Sequence, residues 1–574
     1  MCARFEMKES VSLCLNGGQG RFVGTACIVR SALVIALLCI VASIASAQAT
    51  YQDLANFDGT NGQNPIDVTL VQDLDGNLYG TTELGGAYDQ GIIFKISPSG
   101  ALTTLWNFCE QSGCPDGDKP EAGLTLVIGG DLYGTTIGGG AHNSGTVFKI
   151  TPAGKLTTIY SFCSLPGCAD GANPSIGTSL IQGTDGNLYG ATGTTTITFF
   201  RLTPAGKLTT LYSWPSFVAQ YPTGVVQANN GNFYITVSGG VGQPGFIAEI
   251  TPGGKEITLY TFCSLTNCLD GSNPGGPLLQ GANGDLYGTT AGGGEYGNGT
   301  FFELTVGGTL TSLHSFDYGT AGNLGSAENS GVILGADGNF YGVAQAGGED
   351  CTTGCGTLFQ MTPAGVLTTL YEFTGGNTSW GPWGLAQDTS GAFYGTTANG
   401  GPQSVGTVYT VADGLAPFVK LVTNYGPEGK TIDILGQGFT SSSVVKFRGV
   451  QATSVTLDGS TALIATVPAG ALTGSVTVTT AGTKLTSNQV FKVTPQILSF
   501  SPTSGPVGTV VTITGVSLTQ TTAVTLGGVK ATSFTVNSDT QVTATVPTGA
   551  KTGKIKITTP GGTATSTTSF TVTT

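Results

Sequence analysis

A tandem repeat occupies most of this chain. The dipeptide Leu-Tyr or Phe-Tyr, usually followed by Gly, recurs at Tyr79, Tyr133, Tyr189, Tyr234, Tyr287, Tyr341 and Tyr394. The spacings between these tyrosines are 54, 56, 45, 53, 54 and 53 residues. A repeat period of this length is typical of solenoids, propellers and related arrays.

Each unit reads as four short strands, a to d. Strands a and b are joined by Asp-Gly or Asn-Gly, as at Asp75-Gly76 and Asn283-Gly284, which are strong hairpin signals. A Gly-rich loop leads to strand c, and a Pro-Ala-Gly turn leads to strand d. The link from d to the next a is longer. Four-stranded antiparallel sheets repeated in this way predict a β-propeller.

The two ends of the array are out of phase. The last unit has strands a, b and c, the third at 406–411, but no strand d, whereas residues 51–57 read as a strand d ahead of the first unit. We therefore expect the N-terminal strand to complete the seventh sheet, which leaves no open edge between the first and last units. The predicted fold class is all-β, with a seven-bladed propeller over 50–414.

The repeat resembles a known family. The frame Gly-Thr-Val-Phe-Lys-Ile-Thr-Pro-Ala-Gly-Lys-Leu-Thr-Thr, with the preceding Leu-Tyr-Gly-Thr-Thr and Gly-Gly, is similar to the GloVer-type tandem repeat of exported bacterial proteins, and covers 51–414. The resemblance implies a propeller at the cell surface or secreted, and no established activity. The third unit departs from the frame because it lacks the Gly-Gly loop.

The pattern changes after residue 414. Residues 416–493 and 494–574 are rich in Thr and Val, contain no Cys, and share the runs Ala-Thr-Val-Pro and Phe-X-Val. Short alternating strands predict two β-sandwiches. The frame resembles the IPT/TIG immunoglobulin-like family, which implies a spacer or binding module without catalysis. The DNA-contacting loops of its transcription-factor relatives are not matched.

The N-terminus predicts export. Arg30 precedes an apolar run from 32 to 44, which suits a signal peptide over 1–47 and is too short to span a membrane. Beyond it the chain carries 17 basic and 32 acidic residues, a net charge of −15. Such an acidic protein repels nucleic acid. We expect a secreted or cell-surface protein without a membrane span in the mature chain.

Eight cysteines follow the signal segment in four close pairs. We interpret them as disulfides that stiffen loops: Cys109–Cys114, Cys163–Cys168, Cys263–Cys268 and Cys351–Cys355. Metal thiolates are the alternative, but they need four ligands in one place and the repeat separates the pairs.

Catalytic chemistry is sparse. The chain has two histidines, His142 in a variable loop and His314 at a position where sister strands carry Tyr. Acidic residues cluster in turns and loops, and the Asp-Gly after three of the Cys pairs reads as turn chemistry. We expect no catalytic residue, no metal site and no cofactor; calcium is the alternative, but no loop has the dense acids of a strong site.

Topology selects one face as the candidate binding surface. The b–c and d–a loops meet on one side of the ring, and we call this side the loop face; the tight a–b and c–d turns meet on the other, the turn face. Variable loops on a rigid scaffold commonly carry binding residues. The candidates are Tyr88, Asp89, His142, Asn143, Glu295 and Tyr296.

Three functions remain open on sequence grounds. The first is a non-catalytic exported binding or adhesion scaffold whose ligand is a glycan or a surface protein. The second is a carbohydrate-active enzyme with a propeller catalytic domain, and the third is a structural protein of the cell envelope. The enzyme predicts a facing pair of carboxyl groups at the central channel, whereas the binding protein predicts none.

Overall fold

The computed structural model describes residues 49–175, 177–193, 197–214, 221–239, 242–317, 331–348, 355–374 and 380–574. The predicted signal segment 1–47 and Cys351 lie outside these residues. The described chain is all-β apart from two single 3₁₀ turns, Pro166–Cys168 and Thr266–Cys268. This confirms the predicted fold class.

The repeat region begins with β1 (Thr50–Asn56) and continues through four-stranded antiparallel sheets with strand order a-b-c-d. Sheet 1 comprises β2 (Val71–Gln72), β3 (Leu78–Thr82), β4 (Ile92–Ile96) and β5 (Leu102–Asn107); sheet 2, β6 (Thr125–Leu126), β7 (Leu132–Thr136), β8 (Thr146–Ile150) and β9 (Leu156–Ser161). Sheet 3 comprises β10 (Ile181–Gln182), β11 (Leu188–Ala191), β12 (Thr198–Leu202) and β13 (Leu208–Ser213); sheet 4, β14 (Tyr221–Gln227), β15 (Phe233–Ser238), β16 (Phe246–Ile250) and β17 (Glu256–Thr261).

The remaining propeller sheets follow the same order. Sheet 5 comprises β18 (Ser272–Gln280), β19 (Leu286–Gly292), β20 (Thr300–Leu304) and β21 (Leu310–Ser315); sheet 6, β22 (Ile333–Leu334), β23 (Phe340–Ala344), β24 (Thr357–Met361) and β25 (Leu367–Glu372). Sheet 7 comprises β26 (Trp380–Gln387), β27 (Phe393–Asn399) and β28 (Thr407–Ala412), and its fourth strand is β1, which pairs antiparallel with β28 from Thr50↔Ala412 to Asn56↔Thr407.

Apolar clusters connect each sheet to the next. Seven clusters each combine buried residues from two consecutive sheets, and one of them joins sheet 7 to sheet 1 through side chains such as Phe94 and Val408. Threonines of strand b add hydrogen bonds between sheets: Thr81 Oγ1 donates to the Ala122 carbonyl (3.1 Å) and Thr396 Oγ1 to the Pro65 carbonyl (2.8 Å). The recurring Gly-Thr-Thr run therefore holds neighbouring sheets together.

The Gly of the Leu-Tyr-Gly run makes room for an aromatic ring on strand c. A Cβ built on Gly134 falls 2.4 Å from Cζ of Phe148, its cross-strand partner. Sheet 4 reverses the two sizes, since Ile235 there lies opposite Ala248. The pair keeps its total volume while the large residue changes strand, as close-packed interiors require.

Two β-sandwiches complete the chain. The first sandwich contains β29 (Lys420–Leu421), β30 (Tyr425–Gly426), β31 (Thr431–Leu435), β32 (Val444–Phe447), β33 (Val450–Gln451), β34 (Val455–Asp458), β35 (Ala462–Thr466), β36 (Gly474–Thr480) and β37 (Thr483–Val493). Its sheets have the orders β29-β31-β35-β34 and β30-β37-β36-β32-β33, and one apolar core fills the space between them.

The second sandwich repeats this arrangement. It contains β38 (Gln496–Ser501), β39 (Ser504–Gly505), β40 (Val510–Val516), β41 (Ala523–Leu526), β42 (Val529–Lys530), β43 (Phe534–Ser538), β44 (Gln541–Thr545), β45 (Gly553–Thr559) and β46 (Gly562–Val572). The sheet orders are β38-β40-β44-β43 and β39-β46-β45-β41-β42, again around a single core.

The first sandwich packs on the turn face of the propeller. Its side chains reach the a–b turns of several sheets: Asp433 Oδ2 accepts from Gly129 N (2.7 Å), Tyr425 OH donates to the Gly183 carbonyl (2.6 Å), and Thr461 Oγ1 donates to the Leu74 carbonyl (2.7 Å). Gln437 Nε2 also donates to Thr389 Oγ1 of sheet 7 (2.9 Å). The turn face is therefore partly covered, whereas the loop face points away from this contact.

Candidate functional site

The b–c loops of sheets 1 and 2 are closed by their own side chains. Asp89 Oδ1 accepts from Gly85 N (3.1 Å), and Asn143 Oδ1 accepts from Gly139 N (3.3 Å). Both residues have positive φ, 55° and 52°, a conformation that Asp and Asn tolerate better than most residues. Asp89 and Asn143 thus have a structural role in shaping the loop.

The loop tips are also tied to strand d. The backbone N–H before each tip donates to a side chain at the end of that strand: Ala87 to Asn107 (2.8 Å), Ala141 to Ser161 (3.3 Å) and Glu295 to Ser315 (3.2 Å). The next residue is Tyr88, His142 or Tyr296. All three are exposed, Tyr88 by 43% and Tyr296 by 56%, and no described hydrogen bond involves their side chains.

The structure does not bring the six predicted residues into one site. They lie as neighbouring pairs on sheets 1, 2 and 5. Among the described residues, no hydrogen bond or ring contact joins any pair to another. Glu295 and Tyr296 instead line an open pocket of about 370 Å³ against strand d of their own sheet, together with His314 and Asp317.

Three of the predicted disulfides are present, at Cys109–Cys114, Cys163–Cys168 and Cys263–Cys268. Two of these loops dock on the b–c loop of the following sheet. The Cys114 carbonyl accepts from Gly140 N (2.8 Å), and the Cys268 carbonyl accepts from Gly294 N (2.9 Å). Between sheets 7 and 1, where no Cys occurs, the Gly59 carbonyl accepts from Gly86 N (2.8 Å) in the same way. The disulfide loops therefore couple neighbouring sheets.

The acid after each of these Cys pairs caps the disulfide loop. Asp170 Oδ2 accepts from Tyr160 OH (2.8 Å), Ser164 N (2.9 Å) and Ser164 Oγ (2.8 Å). Burial alone raises the pKa of Asp170, but these hydrogen bonds to the charged form outweigh it and hold the pKa below its usual value. Asp270 has the same partners in its loop, and Asp116 accepts from Trp106 Nε1 (3.0 Å). These carboxylates are occupied by loop closure.

The centre of the ring is narrow. Residues from strand a, or just before it, in sheets 1, 3, 4, 5 and 7 line a single cavity of about 80 Å³, which places that cavity on the ring axis. Glycines allow the approach: a Cβ on Gly224 falls 2.2 Å from Pro277 Cα, and one on Gly384 falls 2.2 Å from the Val68 carbonyl oxygen. Ligand pockets usually measure about 300–1,000 Å³, so this cavity, lined by described residues, is too small to enclose a ligand.

A pair of carboxyl groups lies at the loop-face end of this cavity. Glu83 follows strand b of sheet 1, and Glu121 precedes strand a of sheet 2. Burial, the nearby charges of Glu83 and Asp67, and a hydrogen bond with Glu83 raise the pKa of Glu121 to about 8. Glu121 is therefore protonated at neutral pH and can donate to Glu83. Asp67 also lines the axial cavity. A pair of acids at the channel is the feature that the enzyme hypothesis predicts and the binding hypothesis does not.

The pattern of strands a and b gives no sign of these acids, because Glu83 and Glu121 lie beyond the strand ends. A signal was available in the repeat itself. Glu83 occupies the position of Ile137 in the next unit, and Glu121 occupies that of Ser175 and Gly275. Because the equivalent positions in these other units are uncharged, the two acids are not required for folding of the repeat. They therefore indicate a role specific to this place in the propeller.

The other candidate chemistry is limited. His314 lies in β21, where its ring packs edge-on against Phe316 (5.2 Å between centroids), and burial lowers its pKa. In the described part of the chain, no group of three or more His, Cys, Asp or Glu residues is arranged to hold a metal ion. The same residues include no helix long and apolar enough to cross a membrane.

Solved structures with similar folds include several enzymes. A catalytically inactive virginiamycin B lyase from Staphylococcus aureus is 13% identical, with 63% of this chain and 99% of the other covered and a TM-score of 0.44. A fungal alcohol oxidase of the AA5 family is 15% identical, with 75% and 98% covered and a TM-score of 0.43. A gluconolactonase from Xanthomonas campestris is 11% identical, with 63% and 97% covered and a TM-score of 0.33. These values transfer no function to the chain.

No curated relative matches the sequence. Two family models do. The model of the Gloeobacter/Verrucomicrobia repeat matches residues 38–197 and 194–409, and the model of the IPT/TIG domain matches 417–493 and 495–572. The first covers more than half of the chain, over the same residues that form the propeller sheets. The chain therefore belongs to the Gloeobacter/Verrucomicrobia repeat family and carries two IPT/TIG domains after the repeats.

Proposed function

We propose that the chain is an exported binding protein whose propeller presents the loop face to a glycan. One observation carries this proposal: Tyr88, His142 and Tyr296 occupy equivalent loop tips that are tied to strand d, and their planar side chains are exposed without a hydrogen-bond partner among the described residues. A flat aromatic ring offers a large apolar surface for the C–H face of a sugar at low entropic cost, and Tyr adds a hydroxyl.

Two further features support this face. The disulfide loops add exposed Leu165 and Leu265 at their tips, 52% and 56% exposed, so apolar side chains recur around the loop face. The first sandwich covers part of the turn face, which leaves the loop face for a ligand. The disulfides support the proposed export, because such bonds persist in oxidising compartments outside the cytosol.

The test is a binding screen on the full mature chain with cello-, xylo-, manno- and chitohexaose. We expect at least one of these probes to bind, and Y88A/Y296A to weaken that binding at least tenfold. V306A/V366A is the matched control, since it truncates two similarly exposed residues in c–d turns on the opposite face. Absence of binding by all four probes, or equal losses in both variants, contradicts the proposal.

A carbohydrate-active enzyme is the second candidate, and the Glu83–Glu121 pair favours it. Glycoside cleavage uses two carboxyl groups about 5–9.5 Å apart, one of them with a raised pKa. Glu121 has the raised pKa, and a substrate would have to separate it from Glu83, to which it is hydrogen-bonded here. Any reaction would take place at the channel mouth, because the axial cavity is too small for a sugar ring. A sugar-release assay on mixed polysaccharides tests this, with E83Q and E121Q as variants. Release that both variants abolish supports the enzyme; binding without release supports the first proposal.

A further inference from the structure

The charge of this chain is divided between its two halves. Residues 49–415 carry 28 acidic and 7 basic residues, a net charge of −21. Residues 416–574 carry 4 acidic and 10 basic residues, a net charge of +6. The sandwiches are therefore cationic modules attached to a strongly anionic propeller.

The cations concentrate on equivalent sheets of the two sandwiches. In the first sandwich, β32, β36 and β37 form an open groove of about 790 Å³ that is lined by Lys446, Arg448 and Lys484. In the second, the equivalent sheet carries exposed Lys530, Lys554 and Lys556, and Lys530 and Lys556 both lie beside Thr525. Neither five-stranded sheet contains an Asp or Glu.

No ion pair among the described residues neutralises these charges. The ion pairs found in the described residues, Lys95–Asp75 and Lys149–Asp131, both belong to the propeller. The four acids of the sandwiches, Glu428, Asp433, Asp458 and Asp539, lie in turns or in the other sheet of the first sandwich. The contacts between the first sandwich and the propeller also use other residues, such as Tyr425 and Asp433. The cationic groove is thus left for an external partner.

We propose that the groove formed by Lys446, Arg448 and Lys484 binds an acidic polysaccharide. The three cations alternate with the hydroxyl side chains of Ser475, Thr477, Thr479 and Thr486, which suit the hydroxyl groups of sugars. Lys446 and Lys484 stand on strands separated by one other strand and are offset by two residues along them, so their backbones are about 12 Å apart. Duplex DNA carries a charge for about every 1.7 Å of its axis, a much denser pattern than this groove offers.

The lining of the groove favours a carbohydrate ligand over a single-stranded nucleic acid, because it includes no aromatic side chain. Proteins that bind single strands commonly stack the bases on aromatic rings. This site is independent of the tyrosines of the loop face, since it lies on a different domain and selects for charge. A negative result in the test of one site therefore does not contradict the proposal for the other.

The experiment uses the full mature chain and two probes, polygalacturonate and its methyl-esterified, uncharged form. We expect binding to polygalacturonate only, and weakening as NaCl is raised, because salt screens exposed charges. K446Q/R448Q/K484Q should lose about tenfold or more in affinity, since each exposed ion pair contributes a few-fold at most and three are removed. K446R/K484R should bind as the wild type does.

The matched control is K155Q/K207Q/K255Q, which removes three exposed lysines from equivalent c–d turns of the propeller. K446Q/K484Q is added because it keeps Arg448, whose Nη1 donates to the Thr473 carbonyl (3.0 Å) and supports the fold. Equal binding of the two probes, or an equal loss of affinity in the groove and control variants, overturns the proposal. Tighter binding of duplex DNA than of polygalacturonate also overturns it. So does self-association in sedimentation that the groove variants abolish.

Discussion

The propeller and the two sandwiches solve the same packing problem in opposite ways. The propeller relies on the absence of side chains: glycines at its axis and on strand b let neighbouring backbones and rings approach closely. Each sandwich relies on large aliphatic side chains gathered in one core between two sheets. A substitution that adds an atom should therefore destabilise the propeller most, and one that removes atoms should destabilise the sandwiches most.

The largest effect is expected in a sandwich core. Ile513 is fully buried in the second sandwich. Ile513→Ala removes several buried methyl and methylene groups and leaves a cavity, at a cost of about 4 kcal/mol in the free energy of unfolding. All four tryptophans lie in the propeller, at 106, 214, 380 and 383. Calorimetry should therefore show a lower midpoint for the unfolding of the second sandwich, while the midpoint measured by tryptophan fluorescence stays at its wild-type value. A shifted fluorescence midpoint would contradict independent unfolding of the propeller and the sandwich.

The reverse experiment adds one methyl group to the propeller axis. Gly224→Ala places a Cβ against the backbone of Gly276 and Pro277, which cannot move aside as a flexible side chain can. We expect a loss of about 3 kcal/mol, measured as a lower midpoint by tryptophan fluorescence. Gly253→Ala is the matched control, because its nearest atom lies 3.9 Å away in the same sheet. Equal stability of the two variants would show that the axis is loosely packed.

The two regions also differed in how far sequence predicted them. The phase of the strands at the ends of the repeat predicted a pair between the N-terminal strand and the last one, and the β1–β28 ladder is present. The Asp-Gly and Asn-Gly turns marked the hairpins because their geometry is local. The exchange of sizes at Ile235 and Ala248 was not predictable from sequence. The larger residue on strand b is compensated by a smaller one on strand c, and only the strand pairing shows that the two are partners.

The site was less predictable than the fold. Tyr88, His142 and Tyr296 were selected by topology, but that reasoning gave no sign that Asp89 and Asn143 are held by the loop itself. Glu83 and Glu121 are separated by 38 positions and come together only when sheets 1 and 2 pack. Contacts of this kind depend on the angle between sheets, which no local pattern encodes.

The third prediction concerns the disulfides, which only the propeller contains in the described chain. C163A/C168A opens a six-residue loop and should cost at most about 2 kcal/mol, since short loops lose little entropy in the unfolded chain. Reduction of the wild type with dithiothreitol should lower the fluorescence midpoint and leave the transitions of the Cys-free sandwiches unchanged. A sandwich transition that responds to reduction would show that the disulfides also stabilise the sandwiches.

The smallest effect is a change in pH dependence at the channel mouth. The raised pKa of Glu121, about 8 in the folded chain, means that the folded state keeps a proton that the unfolded state releases above about pH 4.5. The propeller should therefore be most stable below pH 4.5 with respect to this group, and lose stability as the pH rises towards 8.

Glu121→Gln replaces the protonated acid with a neutral group of similar size that still donates a hydrogen bond. We expect the variant to match the wild type near pH 4.5 and to exceed it by at least about 1 kcal/mol at pH 8, because only the wild type loses stability as the pH rises between its unfolded and folded pKa values. The measurement is the fluorescence midpoint in urea at pH 4.5, 6 and 8, with Glu110→Gln as the control at an exposed loop acid. Parallel pH profiles for wild type and Glu121→Gln would mean that Glu121 is ionised in the fold, and the pair with Glu83 could not then share a proton.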